Sequence, residues 1–234
     1  MKLRLRYSKL GKIRFTSHRD TARVWERAMR RAGVPIATSA GFTPRPRLSF
    51  GLALPTGAES VAEYLDLEVV DGAMSDGDVD ALPMALDDVL PVGFAALAVA
   101  WREPGAGSLQ EDVTAVTWEL TVPGAVDARG AVDRVLGAAT LPLERERKGE
   151  RRVDDVRPAI RALAVAGDRS GTLVADVATT GRGLRPAELV AVAFPSTDVT
   201  ALRALRTHQW IEHDGNRREV MALPVAVPAP LVGA

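Results

Sequence analysis

The segment KLRLRY, Lys2 to Tyr7, alternates apolar and basic residues along its whole length. A two-residue period is typical of a β-strand with one buried and one solvated face. The period then changes, because apolar residues recur at helical spacing over 24–32 until Gly33 and Pro35 stop the pattern. The amino terminus therefore predicts a strand, a continuation or partner strand over 13–15, and an arginine-rich helix.

The rest of the chain continues this alternation of strands and helices in two runs. Strands are predicted over 61–70, 92–101, 113–122, 141–147, 160–166, 173–179 and 199–206, and helices over 76–89, 126–139 and 186–194. We interpret each run as the strand–helix–strand–strand–helix–strand order of a ferredoxin-like unit, although the second carries an extra strand. We therefore predict an α+β fold of two ferredoxin-like βαββαβ units in tandem, 1–103 and 109–222, with antiparallel sheets, helices on one face and a tail over 223–234.

The composition excludes several kinds of site. The 234 residues include no cysteine and three histidines, which rules out disulfides, thiolate zinc sites and an iron–sulfur cluster held by this chain. We predict no metal and no cofactor. No apolar run approaches the roughly 20 residues of a membrane-spanning helix, and the amino terminus lacks an apolar signal core. We therefore expect a cytoplasmic protein without a membrane contact.

Charge is segregated along the chain although the formal net charge is zero. Residues 1–50 hold 13 Lys and Arg against 2 Asp and Glu, whereas 51–142 hold 3 against 16. Such segregation indicates either an anionic partner for the basic block or attraction between the two blocks.

The stretch RFTSHRD, Arg14 to Asp20, lies at the predicted start of the first helix. Ser17 and Asp20 have the spacing of a capping box, which satisfies free N–H groups at a helix start. Capping does not account for His18 or Arg19. A Ser–His–Asp triad is unfavourable because the three residues are too close in sequence, but His18 remains a candidate general base.

Three further stretches also join basic residues to glycine or proline: FTPRPRLSFG (42–51), ERKGERRVDDVRP (146–158) and GRGLRP (181–186). Arginine binds phosphate in two-pronged fashion, and glycine lets backbone approach a ligand closely. None has the Gly-Lys-Ser/Thr ending of a nucleotide P-loop. Asp155 is a candidate supporting residue. The candidate RNA- or anion-binding residues are Arg14, His18, Arg19, Arg45, Arg47, Lys148, Arg157 and Arg185.

Taken in order, these stretches, together with AEYLDLEV (62–69), LPVG (90–93) and GLRPAE (183–188), resemble the radical-SAM-linked proteins, a bacterial domain of unknown function. The resemblance covers about residues 2–206. It implies an accessory role, because members are encoded beside or fused to radical-SAM proteins and some lie near RNA-processing genes. Where the family often has Asn-Pro-His, this chain has Thr43-Pro44-Arg45, which disfavours a catalytic histidine there and keeps a cationic contact.

The leading hypothesis is a non-catalytic accessory protein that binds tRNA or rRNA for a radical-SAM or RNA-processing enzyme. One alternative is a protein–protein adaptor that docks a radical-SAM enzyme without touching RNA. Another is a metal-independent ribonuclease that uses His18. Because the chain has no cysteine, any radical chemistry must belong to a partner protein.

Overall fold

A computed structural model describes residues 1–124, 127–147, 149–167, 171–181 and 183–221. The predicted α+β class is confirmed, with a large, mostly antiparallel sheet and few helices. The helices are α1 His18–Arg31, α2 Asp76–Asp87, α3 Leu109–Asp112, α4 Ala128–Gly137 and α5 Pro186–Ala193. The strands are β1 Lys2–Lys9, β2 Leu48–Phe50, β3 Glu59–Glu68, β4 Phe94–Trp101, β5 Val113–Thr121, β6 Pro142–Arg147, β7 Glu150–Asp155, β8 Ile160–Val165, β9 Thr172–Ala178, β10 Arg203–His213 and β11 Asn216–Glu219.

Nine of these strands form one sheet, whose main path is β4-β1-β3-β10-β5-β9-β8. β2 pairs with β3 and β11 pairs with β10, while β6 and β7 form a separate two-stranded ribbon. The N-terminal and C-terminal strands meet where β10 runs parallel to the start of β3, with Leu205 opposite Glu59 and Arg206 opposite Ser60. The other pairs are antiparallel, so this short parallel contact joins the two halves of the sheet.

The first core lies between β1, β3, β4 and the two helices α1 and α2. Leu3 and Leu5 are fully buried, as the alternating pattern requires. Trp25 of α1 is also fully buried, and its ring centroid lies 4.7 Å from that of Tyr7. The apolar residues of KLRLRY therefore hold α1 against the sheet.

The basic residues of the same strand differ from the expected pattern, because Arg4 and Arg6 are buried rather than solvated. Arg4 makes a two-pronged ion pair with Asp66, with N···O distances of 2.7 and 2.9 Å. Arg6 donates to the Glu219 carboxylate at 3.1 Å and to the Met221 carbonyl at 3.0 Å. On the second face of β1, Arg6 is thus covered by the end of the β10–β11 hairpin and Arg4 by Asp66 of β3.

The second core packs α4 and α5 against β5, β9 and β10. It also includes Ala62 and Tyr64 of β3, whereas Leu65 and Leu67 belong to the first core. β3 therefore contributes to both cores.

Two predicted elements differ in kind or length. Residues Gly11–Phe15 form a 3₁₀ turn rather than a strand, entered through Gly11 at φ +71°. The strand expected over 199–206 begins only at Arg203, after a 3₁₀ turn at Val199–Ala201, and continues to His213. The predicted tail, 223–234, lies outside the described residues.

Candidate functional site

Ser17 is the N-cap of α1. Its hydroxyl accepts a hydrogen bond from the Asp20 backbone N–H at 3.1 Å and donates one to the Asp20 carboxylate at 2.7 Å. The hydroxyl donor, aided by Arg23, lowers the pKa of Asp20 below its usual range. The Ser–x–x–Asp part of RFTSHRD therefore starts the helix.

Replacing Ser17 by alanine is expected to lower the free energy of unfolding by about 1 kcal/mol, because the helix start loses its cap. Chemical denaturation measures this effect, and NMR titration should show the pKa of Asp20 moving back toward its usual value. Ser49→Ala is the matched control, since Ser49 is exposed on β2. Equal stability of the two variants would contradict the capping role.

The turn before α1 presents an aromatic ring to solvent. Phe15 is 63% exposed, and the Arg14 guanidinium lies 4.6 Å from its ring centroid. The Gly57 N–H donates to the Arg14 carbonyl at 2.9 Å, and a side chain at Gly57 would contact the Phe15 ring at 3.7 Å. Gly57 also has φ +89°, which favours glycine. The backbone around Phe15 is therefore held by a neighbouring loop.

His18 is exposed at the first position of α1. Its ring meets the Phe50 ring edge-on, with centroids 5.6 Å apart. Within the described part of the chain, no carboxylate makes an ion pair or hydrogen bond with His18, so no group there orients it as a general base. His18 can still contact a ligand by stacking or hydrogen bonding.

The outer face of α1 carries a row of arginines. Arg19, Arg27 and Arg30 are exposed and make no hydrogen bond or ion pair with any described residue. Their spacing places them on one side of the helix, over roughly 16 Å at 1.5 Å per residue. We call these three residues the arginine row. They are available for an anionic partner.

The proline-containing loop over 38–47 supplies another free cation. The loop is closed by a backbone hydrogen bond from Ser39 to Arg45 at 2.9 Å. The Arg45 guanidinium makes no hydrogen bond among the described residues, whereas Arg47 pairs with Glu68 at 2.9 Å. Phe42 at the loop tip is fully exposed. Arg45 and Phe42 are thus the accessible candidates of this loop.

Among the C-terminal candidates, Arg157 and Asp155 form hydrogen bonds with nearby backbone groups. The Arg157 guanidinium donates to the carbonyls of Leu136, Ala138 and Ile160 at 3.0–3.2 Å, which anchors the end of α4 to β8. Asp155 accepts from the backbone N–H groups of Leu141 and Arg157, and these bonds lower its pKa.

Arg185 is exposed just before α5, and its backbone N–H donates to Glu188 at 2.8 Å. Lys148 lies outside the described residues. Arg157 and Asp155 therefore serve the local structure, and Arg185 is the accessible C-terminal candidate.

Sequence reasoning missed a buried ionic cluster where the halves of the sheet meet. Arg206 of β10 donates to the Glu63 carboxylate of β3 at 3.0 Å, and both side chains are buried. Lys9 is also buried and donates to the Thr16 carbonyl at 2.7 Å. Burial raises the pKa of Glu63, although the Arg206 charge opposes this shift. Through its hydrogen bond to the Thr16 carbonyl, Lys9 fixes the backbone of RFTSHRD just before α1.

The described residues contain no group of three or more side chains suited to hold a metal ion. Within the same residues, no helix is long and apolar enough to cross a membrane.

Comparison with known proteins identifies a family but no function. No curated protein matches the chain. One solved structure with partial likeness contains the first two RRM domains of the yeast poly(U)-binding protein Pub1. Its sequence identity to this chain is 12% and its TM-score is 0.22, and the match covers 88% of this chain and 98% of that one. This likeness is too weak to indicate a shared function. The family model for an uncharacterized protein conserved in bacteria, DUF2344, matches residues 2–186, and the chain belongs to that family.

Proposed function

We propose that the protein is a non-catalytic accessory protein that binds RNA through the arginine row of α1 and the loop over 38–47. The observation that carries this proposal is that Arg19, Arg27 and Arg30 are exposed together on one helix face and form no ion pair or hydrogen bond with the described residues. Arginines left unpaired in this way suit the phosphates of a nucleic acid. Arg45 adds a further cation on the same N-terminal half of the chain.

The strand order supports a proposed division into two ferredoxin-like units, 1–103 and 109–222. The N-terminal strands are ordered β4-β1-β3 with β2 on the edge of β3, and the C-terminal strands β10-β5-β9-β8. Both orders correspond to strands 4-1-3-2 of a βαββαβ unit, with the β6–β7 ribbon as an insertion in the second. In this interpretation the arginine row and Arg45 both belong to the first unit.

The proposed partner enzyme is a radical-SAM or RNA-processing enzyme. Support comes from the resemblance of the sequence motifs to radical-SAM-linked proteins. Because the chain has no cysteine, an iron–sulfur cluster used in this reaction would belong to the partner. The protein would hold the RNA while the partner performs the reaction.

The proposal is tested by titrating the protein with total tRNA and with ribosomal RNA fragments over a salt series. We expect micromolar or tighter binding that weakens steeply with salt, because bound arginines release counterions from the RNA. Arg45→Ala should weaken binding and Arg47→Ala should have the smaller effect, since Arg47 already pairs with Glu68. No binding even at low salt would overturn the proposal.

A second candidate function is a protein–protein adaptor, and the outer surface of α2 favours it. Asp80 and Asp88 are exposed there, one helical turn on either side of Met84, which is 77% exposed. A basic partner with an apolar contact would fit this surface. The adaptor predicts a stable complex with the partner enzyme and no RNA affinity at moderate salt.

A further inference from the structure

We propose that the bound RNA is single-stranded where it meets the start of α1, with an unpaired base stacked on Phe15. This inference rests on the proposed function and specifies its ligand. It concerns the turn Gly11–Phe15 and the first turn of α1, which carry the exposed side chains Lys12, Phe15, His18 and Arg19.

The exposure of Phe15 is unusual within this chain. The sequence has eleven aromatic residues, and all except Phe15 and Phe42 are buried or partly buried. Leaving a phenylalanine ring in water forgoes about 1.5–3 kcal/mol of burial free energy. Two rings exposed in an aromatic-poor chain, both within its basic first 50 residues, indicate surfaces that a ligand covers.

Phe15 is held in position before any ligand arrives. The Arg14 guanidinium lies against the ring and donates to the Gly11 carbonyl at 3.2 Å, while Gly57 fixes the Arg14 backbone and lies beside the ring. A ring positioned in advance loses little side-chain entropy on binding.

The surroundings of Phe15 favour a base over an apolar protein surface. Its exposed neighbours in sequence are polar or charged, and the Arg14 guanidinium lies against the ring. Of the acids near this turn, Asp20 is engaged by Ser17 and Arg23, and Glu59 accepts from the Gly11 N–H and pairs with Arg203. An unpaired nucleotide offers the π-face of its base to the ring and its phosphate to Arg19, a combination that single-stranded RNA supplies. In a duplex the base faces are stacked and cannot reach Phe15.

The test compares a 12-nucleotide single-stranded RNA containing 2-aminopurine with a duplex of the same sequence. For Phe15→Ala we expect single-strand affinity to fall about 5- to 150-fold, since stacking on an aromatic side chain contributes about 1–3 kcal/mol per base. Duplex affinity should stay within about twofold, since the duplex does not use Phe15. Quenching of 2-aminopurine fluorescence by the wild type should be lost in the variant, and Phe15→Trp should retain it.

Val92→Ala is the matched control, because Val92 is 99% exposed on the turn between α2 and β4. It should bind both RNAs like the wild type. If Phe15→Ala leaves single-strand affinity unchanged while the wild type still binds RNA, the inference is overturned and the proposed function stands. If the wild type binds neither RNA at low salt, the proposed function itself fails. Equal losses for single strand and duplex would also overturn the stacking inference.

Discussion

Replacing Arg206 by alanine is expected to lower the free energy of unfolding by about 3–5 kcal/mol, the usual cost of removing one partner of a buried ion pair. Arg206 is 3% exposed and donates to Glu63, which is 4% exposed, at 3.0 Å. It also donates to the backbone carbonyls of Leu52 and Ala53 at 3.0 and 3.2 Å. The substitution would leave a buried carboxylate and two carbonyls without their donor.

Chemical denaturation of Arg206→Ala beside Arg203→Ala tests this expectation. Arg203 lies on the same strand and pairs with Glu59 at 3.3 Å, but its side chain is largely exposed, so its loss should cost at most about 1 kcal/mol. Without Arg206 the pKa of Glu63 should rise further above its usual value. The folded variant would then bind a proton more readily, and its destabilisation should shrink as the pH falls. Similar losses of unfolding free energy in the two variants would contradict a larger stabilising contribution from the buried Glu63–Arg206 pair.

Removing the arginine row as Arg19→Ala/Arg27→Ala/Arg30→Ala should weaken RNA binding by up to about 150-fold, at roughly 1 kcal/mol for each exposed ion pair. The slope of log K against log salt should become less steep by about 2, because each phosphate contact with a single strand contributes about 0.7. Fluorescence titration over a salt series measures both quantities.

The matched control is Arg151→Ala/Arg152→Ala/Arg203→Ala, which removes the same charge from exposed positions outside α1. It should change the affinity by less than about threefold, because long-range attraction between exposed charges is screened by salt. If both triple variants lose the same affinity, binding depends on net charge and the arginine row is not the site.

Local patterns in the sequence predict much of the fold. The change from a two-residue to a helical period locates β1 and α1, and the Ser–x–x–Asp spacing predicts the cap at Ser17. The burial of Arg4 and Arg6 could not be read from KLRLRY, because their partners Asp66 and Glu219 lie 62 and 213 residues away. A local pattern does not reveal partners at such distances.

In the candidate site, too, a local sequence pattern does not reveal which side chains have partners. Arg45 and Arg157 both lie next to a proline, but one guanidinium is free among the described residues and the other is held by three carbonyls. The Glu63–Arg206 pair joins residues 143 apart and has no local motif. Adjacent glycine and proline mark irregular backbone, and only the tertiary structure shows which arginine remains available.

Photo-cross-linking of tRNA to the wild-type protein, followed by mass-spectrometric identification of the attached peptides, tests the central claim most directly. We expect cross-links in residues 14–30 and 42–47, with Phe15 and Phe42 among the attached side chains. Cross-links confined to the C-terminal half, or none under conditions in which RNA is bound, would contradict the proposed RNA-binding face.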